Sequence, residues 1–89
     1  MKAIVSVFAR DAKGITAYIT AALAEQNINI LDISQTLMQG YFTMMMIVDT
    51  TNLAKPFAEM ASDLESEGDA LGVQIKCQRE EIFEKMHRI

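Results

Sequence analysis

The apolar positions of the chain keep switching between two periods. Residues 2–9, KAIVSVFA, are rich in β-branched and aromatic types and short enough to be a strand. From Ala12 to Gln26 the apolar residues Ile15, Ile19, Ala22 and Leu23 return every three or four places, which predicts a helix. Asp11 is a candidate N-cap, and Asn27 suits the left-handed turn that ends a helix. INILDISQTLM then alternates, with Leu31, Ile33 and Leu37 on one side and Asp32, Ser34 and Thr36 on the other. QGYF turns it into a second antiparallel strand, YFTMMMIVD.

Thr51 or Asn52 can open a second helix, whose apolar positions Leu53, Phe57, Met60, Ala61 and Leu64 are again three and four apart. Pro56 belongs in or before its first turn, because deeper inside it would remove a backbone hydrogen bond. Gly68 is expected to stop this helix. GVQIKCQ reads as a strand with Val73, Ile75 and Cys77 inward. The tail REEIFEKMHRI carries Ile82, Phe83, Met86 and Ile89 on one helical face, with acids at its start and Lys85, His87 and Arg88 at its end. That predicts a third, amphipathic helix over about 80–88.

The order β-α-β-β-α-β sets the sheet. Strands one and three are apolar on both faces and belong in the middle, whereas strands two and four have a polar face and belong at the edges. The resulting strand order, 4-1-3-2, is that of an α+β, ferredoxin-like βαββαβ two-layer sandwich: an antiparallel sheet with both long helices on one face. The other face is left apolar at its centre. Such a surface predicts an interface, and the expectation is a homodimer using Met44 and Met46 with Ile82, Phe83 and Met86 of the third helix, which would lie over its own sheet or a partner's. The Met44–Met46 run is read as apolar filling rather than metal or redox chemistry.

Composition narrows the function classes. Eighty-nine residues make one domain near the size where a single core only just suffices, which also favours association. No apolar run reaches the roughly 20 residues that span a bilayer, and the N-terminus lacks the basic and small-residue signature of a signal peptide, so a soluble, cytoplasmic protein without membrane contact is expected. The single cysteine, Cys77, agrees with a reducing compartment. A net charge of −4, with eight Lys and Arg scattered among twelve carboxylates, argues against nucleic acid as a partner. An RNA-binding sheet would want more than Tyr41 and Phe42.

Catalytic chemistry is poorly supplied. There is one histidine, no glycine-rich phosphate loop and no Cys-x-x-Cys pair, so no catalytic residue, metal ligand or cofactor is expected. Arg10 alone does not make the phosphate loop of an acylphosphatase-like reading of the same fold.

The segment FARDAKGITAYITAALAEQNINILDIS resembles the ACT domain family, small regulatory modules of this fold. The shared pattern is an aspartate or asparagine, two residues, then Gly-Ile or Gly-Val opening the first helix, and Asn-Ile leading into the second strand. The resemblance covers residues 2 to about 79. The tail IFEKMHRI is similar to the end of stand-alone ACT proteins related to the regulator of the glycine cleavage system. Many members carry proline before the glycine, where this chain has Lys13. The resemblance implies a single ACT domain over 1–89 that binds an amino acid or similar small metabolite at a dimer interface and acts on an enzyme or regulator protein.

The residues of the loop suit that chemistry on their own terms. Gly14 lets the backbone approach a ligand closely, and the unpaired N–H groups at a helix N-terminus favour a carboxylate. Asp11 offers a carboxylate to an ammonium group, and Asn29 offers both a donor and an acceptor. Asp11, Lys13, Gly14, Ile15, Asn27 and Asn29 are therefore the candidate ligand contacts. Each has a structural reading beside it: Asp11 as a cap, Gly14 for helix–sheet packing, Asn27 and Asn29 as the end of a helix and the start of a strand. The rival function is a dimerisation or docking module that binds no small molecule.

Overall fold

The computed structural model describes residues 1–10 and 14–79. The loop residues Asp11 and Lys13, and the expected third helix with Ile82, Phe83 and Met86, lie outside the described residues. The elements are β1 (Lys2–Ala9), α1 (Ile15–Glu25), β2 (Asn29–Met38), β3 (Tyr41–Asp49), α2 (Phe57–Leu71) and β4 (Gln74–Arg79). They form one sheet in the order β2-β3-β1-β4, with every neighbouring pair antiparallel. This is the ferredoxin-like sandwich that the polarity of the strand faces predicts.

Alternation along the central strands builds the core. Ala3, Val5, Val7 and Ala9 of β1 and Phe42, Met44, Met46 and Val48 of β3 point to one face, where Ile19 and Leu23 of α1 and Met60, Ala61 and Leu64 of α2 close over them. Val73, Ile75 and Cys77 complete that layer at the β4 side. Gln39 and Gly40 both have positive φ, the backbone of a two-residue hairpin turn whose twist matches that of β2 and β3.

Four expectations change here. Met44 and Met46 are wholly buried, at 0% exposure, under the helices of their own chain; Met45, between them, is the residue on the other face, so the proposed use of Met44 and Met46 in a dimer interface is withdrawn. The helix α1 begins at Ile15 with Gly14 as N-cap, three residues past the expected cap Asp11, which lies outside the described residues. Helix α2 starts after Pro56 and runs through Gly68 to Leu71, ending at Gly72 in the left-handed conformation. Gly68 serves close packing instead: a Cβ there would lie 2.8 Å from the Val73 carbonyl oxygen.

The fourth change concerns β2. A bulge between Ile30 and Asp32 puts Leu31 out of register, after which Ile33, Gln35 and Leu37 pair with Met46, Met44 and Phe42 on the helix side. Leu31 thus leaves the row it was expected to share with Ile33 and Leu37. The strand is exposed along nearly all its length, with Leu37 at 67% and Met38 at 66% exposure.

The two sheet edges differ. On β4 the Cys77 backbone N–H donates to Glu65 Oε2 of α2 at 3.3 Å, so a side chain occupies an outward-facing donor of that edge. Burial, and secondarily the Glu65 carboxylate, push the Cys77 thiol up to about 12. Alkylation by iodoacetamide at pH 8.5 should therefore run about a thousandfold slower in the folded chain than in urea, since only the thiolate reacts. Equal rates would show that the strand opens readily. The raised pKa also sets a sign: the folded state is favoured below pH ~8.5 and loses that contribution as pH climbs toward 12.

Candidate functional site

The N-terminal end of α1 is the most chemically open place in the described chain. Gly14 has φ 77°, a conformation that costs other residues about 1–2 kcal/mol, and among the described residues no side chain caps the helix behind it. Its carbonyl accepts from the Tyr18 N–H at 3.1 Å, while the first-turn N–H groups keep no intrahelical partner. An anion is favoured there by those donors and by the helix dipole.

Beside Gly14 a cavity of about 500 Å³ lies between the start of α1 and the end of α2. Its wall is mainly apolar, from Ile15, Ile19, Leu71, Val73 and Ile75, with Arg10 and Tyr18 among the polar residues. The Tyr18 hydroxyl donates to Glu67 Oε2 at 3.2 Å, tying α1 to α2. Loss of solvent around the phenol, and then the Glu67 charge, hold its pKa above the ordinary value. This cavity and the Tyr18–Glu67 bridge were not legible in the sequence, because they depend on where α2 ends. The continuation of that helix past Gly68 was the missing signal.

Asn27 and Asn29 stand elsewhere. Asn27 has φ 60°, the expected left-handed turn after α1, and its N–H donates to the Ala24 carbonyl. Asn29 opens β2 and pairs with Asp49, which pairs in turn with Lys2 at the far end of β1. The length of α1, about 1.5 Å per residue, separates Gly14 from Asn27 by about 20 Å. Gly14 and Ile15 therefore come together, Asn27 and Asn29 come together, and a single small ligand cannot touch both pairs within one chain.

The Asn29 end is firmly tied. Asp49 Oδ1 accepts from the Thr51 N–H and hydroxyl and lies 3.6 Å from the N-terminal ammonium group. The Thr51 hydroxyl, then its N–H, then the N-terminal charge hold the Asp49 carboxyl below its usual range. Among the described residues no group of three or more His, Cys, Asp or Glu gathers as a metal site, and no helix is long and apolar enough to cross a membrane.

Sheet order, helix placement and the glycine-opened first helix together define a ferredoxin-like βαββαβ fold. The ACT domain family matches residues 2–78, and the chain belongs to that family. It is 56% identical over 88 residues to the UPF0237 protein of Bifidobacterium longum, covering 99% of this chain and 98% of that one. Among solved structures it is similar to an ACT domain protein from Streptococcus pneumoniae, with a TM-score of 0.83, 40% identity and 94% of each chain covered. A putative glycine cleavage system transcriptional repressor shares the fold at 20% identity, with a TM-score of 0.74 over 86% of this chain and 45% of that one.

Proposed function

We propose that the protein is a regulatory, non-catalytic ACT module that binds an amino acid or similar small zwitterion between two copies of itself and thereby modulates a partner enzyme or regulator. The carrying observation is the separation of Gly14 from Asn29 along α1, joined to the exposed β2 edge. If two β2 strands pair antiparallel about a two-fold axis, α1 of one chain lies antiparallel to α1 of the other. The Gly14 end of one copy then meets the Asn29 end of its neighbour. In that arrangement the helix N-terminus takes the carboxylate, Asp11 the ammonium group, and Asn29 of the neighbour a remaining donor or acceptor. Lys13 and Ile15 flank the Gly14 end, and Asn27 flanks Asn29.

A ligand binding only the folded form stabilises it by about 2.7 kcal/mol at a hundredfold excess over Kd, enough to raise the melting temperature of so small a domain by several degrees. The test is a thermal-shift screen of the twenty amino acids and small metabolites, followed by Asp11→Ser and Asn29→Ala chains. Each variant alone should lose the ligand-induced shift. A mixture of the two should recover part of it, because one site of the hybrid pair is intact. Absence of any shift in the unaltered chain, or full shifts in both variants, would favour the second reading, a ligand-free interaction module. The exposed Leu37 and Met38 are the observation that supports that reading.

A further inference from the structure

Strand alternation splits the aromatic pair that the sequence offers for a recognition surface. Phe42 is 3% exposed among the core residues, whereas Tyr41 faces the side of the sheet away from α1 and α2. Phe8 joins Tyr41 there, because Val7 and Ala9 on either side of it belong to the core. The two rings stack with centroids 5.8 Å apart and planes 25° apart, yet Phe8 stays 47% and Tyr41 46% exposed. The guanidinium carbon of Arg10 lies 5.9 Å from the centre of the Tyr41 ring. Aromatic surface left in water is surface from which a stacking ring would gain.

The strand register supplies the rest of the surface. Thr43 and Gln74 stand directly opposite Phe8 on β3 and β4, and Lys76 is its diagonal neighbour. The carboxylates of this face lie at its other end, Asp49 opposite Lys2 and Asp32 opposite Ile47. A chain of net charge −4 thus presents exposed rings and the cations Arg10 and Lys76 together at the hairpin end. A cavity of about 340 Å³ opens there among Phe8, Thr36, Met38, Tyr41 and Thr43, within the roughly 300–1,000 Å³ of small-molecule sites. A second, of about 460 Å³, runs from Phe8 and Thr43 to Gln74 and Lys76 and is bordered also by Glu65 and Asp69 of α2.

We propose that this face binds a nucleoside phosphate, a flat heterocycle carrying an anion, at a site separate from the Gly14 end of α1. The base stacks on Phe8 and Tyr41, the Thr43 hydroxyl and the Gln74 amide meet its polar edge, and the phosphate lies toward Arg10. Glu65 and Asp69 repel the phosphate from the β4 side, which sets the direction of the ligand. A single nucleotide suits this surface better than a strand of RNA, because a strand needs a row of phosphate partners and the described residues of this end carry two cations.

The test is a titration of the full nitrogen-15-labelled chain with AMP, GMP, CMP and UMP at low salt, followed by NMR. At least one of them should shift the amides of Phe8, Tyr41, Thr43 and Gln74 saturably, and the matching nucleoside should bind about tenfold more weakly. Tyr41→Ser should lower the affinity by about tenfold through lost stacking. Arg10→Gln should lower it at least several-fold, and more than Lys76→Gln does. Arg10 is exposed at the end of β1, so its variant should keep the urea midpoint of the parent chain and separate lost binding from lost fold. Four results would overturn the proposal: no saturable shift with any of the nucleotides, shifts centred on Gly14 and Ile15, the same shifts from inorganic phosphate alone, or unchanged affinity in both Tyr41→Ser and Arg10→Gln. Tighter binding of an RNA oligonucleotide of about ten residues, falling steeply with salt, would hand the face to a strand instead.

Discussion

Met46→Ala should lower the unfolding free energy by about 2–5 kcal/mol, while Met45→Ala, one residue away, should cost under ~1 kcal/mol. The two side chains have the same chemistry and opposite directions. Met46 sits at 0% exposure among Val5, Met60 and the other cluster residues, so truncation leaves a cavity that the close-packed layer only partly fills. Met45 stands 41% exposed on the other face, where truncation mostly returns surface to water. Urea unfolding followed by circular dichroism gives both numbers from midpoints and slopes. Similar losses at the two positions would mean that the β3 register is wrong, or that Met45 is buried in a strong interface.

Gly68→Ala should destabilise by about 1–3 kcal/mol, although alanine is the better helix former by roughly 1 kcal/mol. The new Cβ would lie 2.8 Å from the Val73 carbonyl oxygen and 2.8 Å from Ile75 Cδ1. The isoleucine tip can rotate away. The carbonyl belongs to the turn into β4, and the Val73 N–H already donates to the Gly68 carbonyl at 2.8 Å, so it has little room to retreat. The helix must therefore lift from the sheet edge, which loosens Leu64 and the Cys77 neighbourhood together. A stability equal to or above that of the parent chain, read from the same urea curves, would show that the contact yields at no cost. Faster alkylation of Cys77 in the Gly68→Ala chain is the accompanying sign of a lifted helix.

Strand order was readable from polarity alone because the two middle strands need apolar residues on both sides and the edge strands do not. That same double apolarity hid which side of β3 carries the helices: Met44, Met45 and Met46 are chemically alike, and only the pairing of Met46 with Val5 and Met45 with Ser6 separates them. Leu31 was misplaced because a bulge inserts one residue without any glycine or proline to announce it. Gly68 was read as a stop because a glycine in a helix is usually a cost, and the close approach of Val73 is visible only once α2 and β4 are set side by side.

The candidate site was legible in its residue types and not in its geometry. Asn27 takes the left-handed backbone that its sequence position suggests, and Gly14 takes it too, which its expected role in close approach did not specify. Their distance apart follows from the number of helical residues between them, whereas which end of a neighbouring strand lies beside each of them follows only from the strand pairing. The apolar cavity beside Gly14 has no local signature, since its walls come from both helices, β1 and β4.

The Glu65 carboxylate on the Cys77 N–H has a consequence for how large an assembly can become. A protein whose sheet is bare at both margins can add copies end on end and has no reason to stop; such chains make fibres. Here one donor of the β4 margin is occupied by a charged side chain from the protein's own helix, whereas among the described residues β2 pairs along one side only, with β3. In the proposed pair, joining at the β2 margin would use that margin in both partners and leave the β4 margins, each with its Cys77 donor occupied, outward. Under the proposed pairing the assembly stops at two copies, and Glu65→Ala, by freeing the Cys77 donor, should favour larger species.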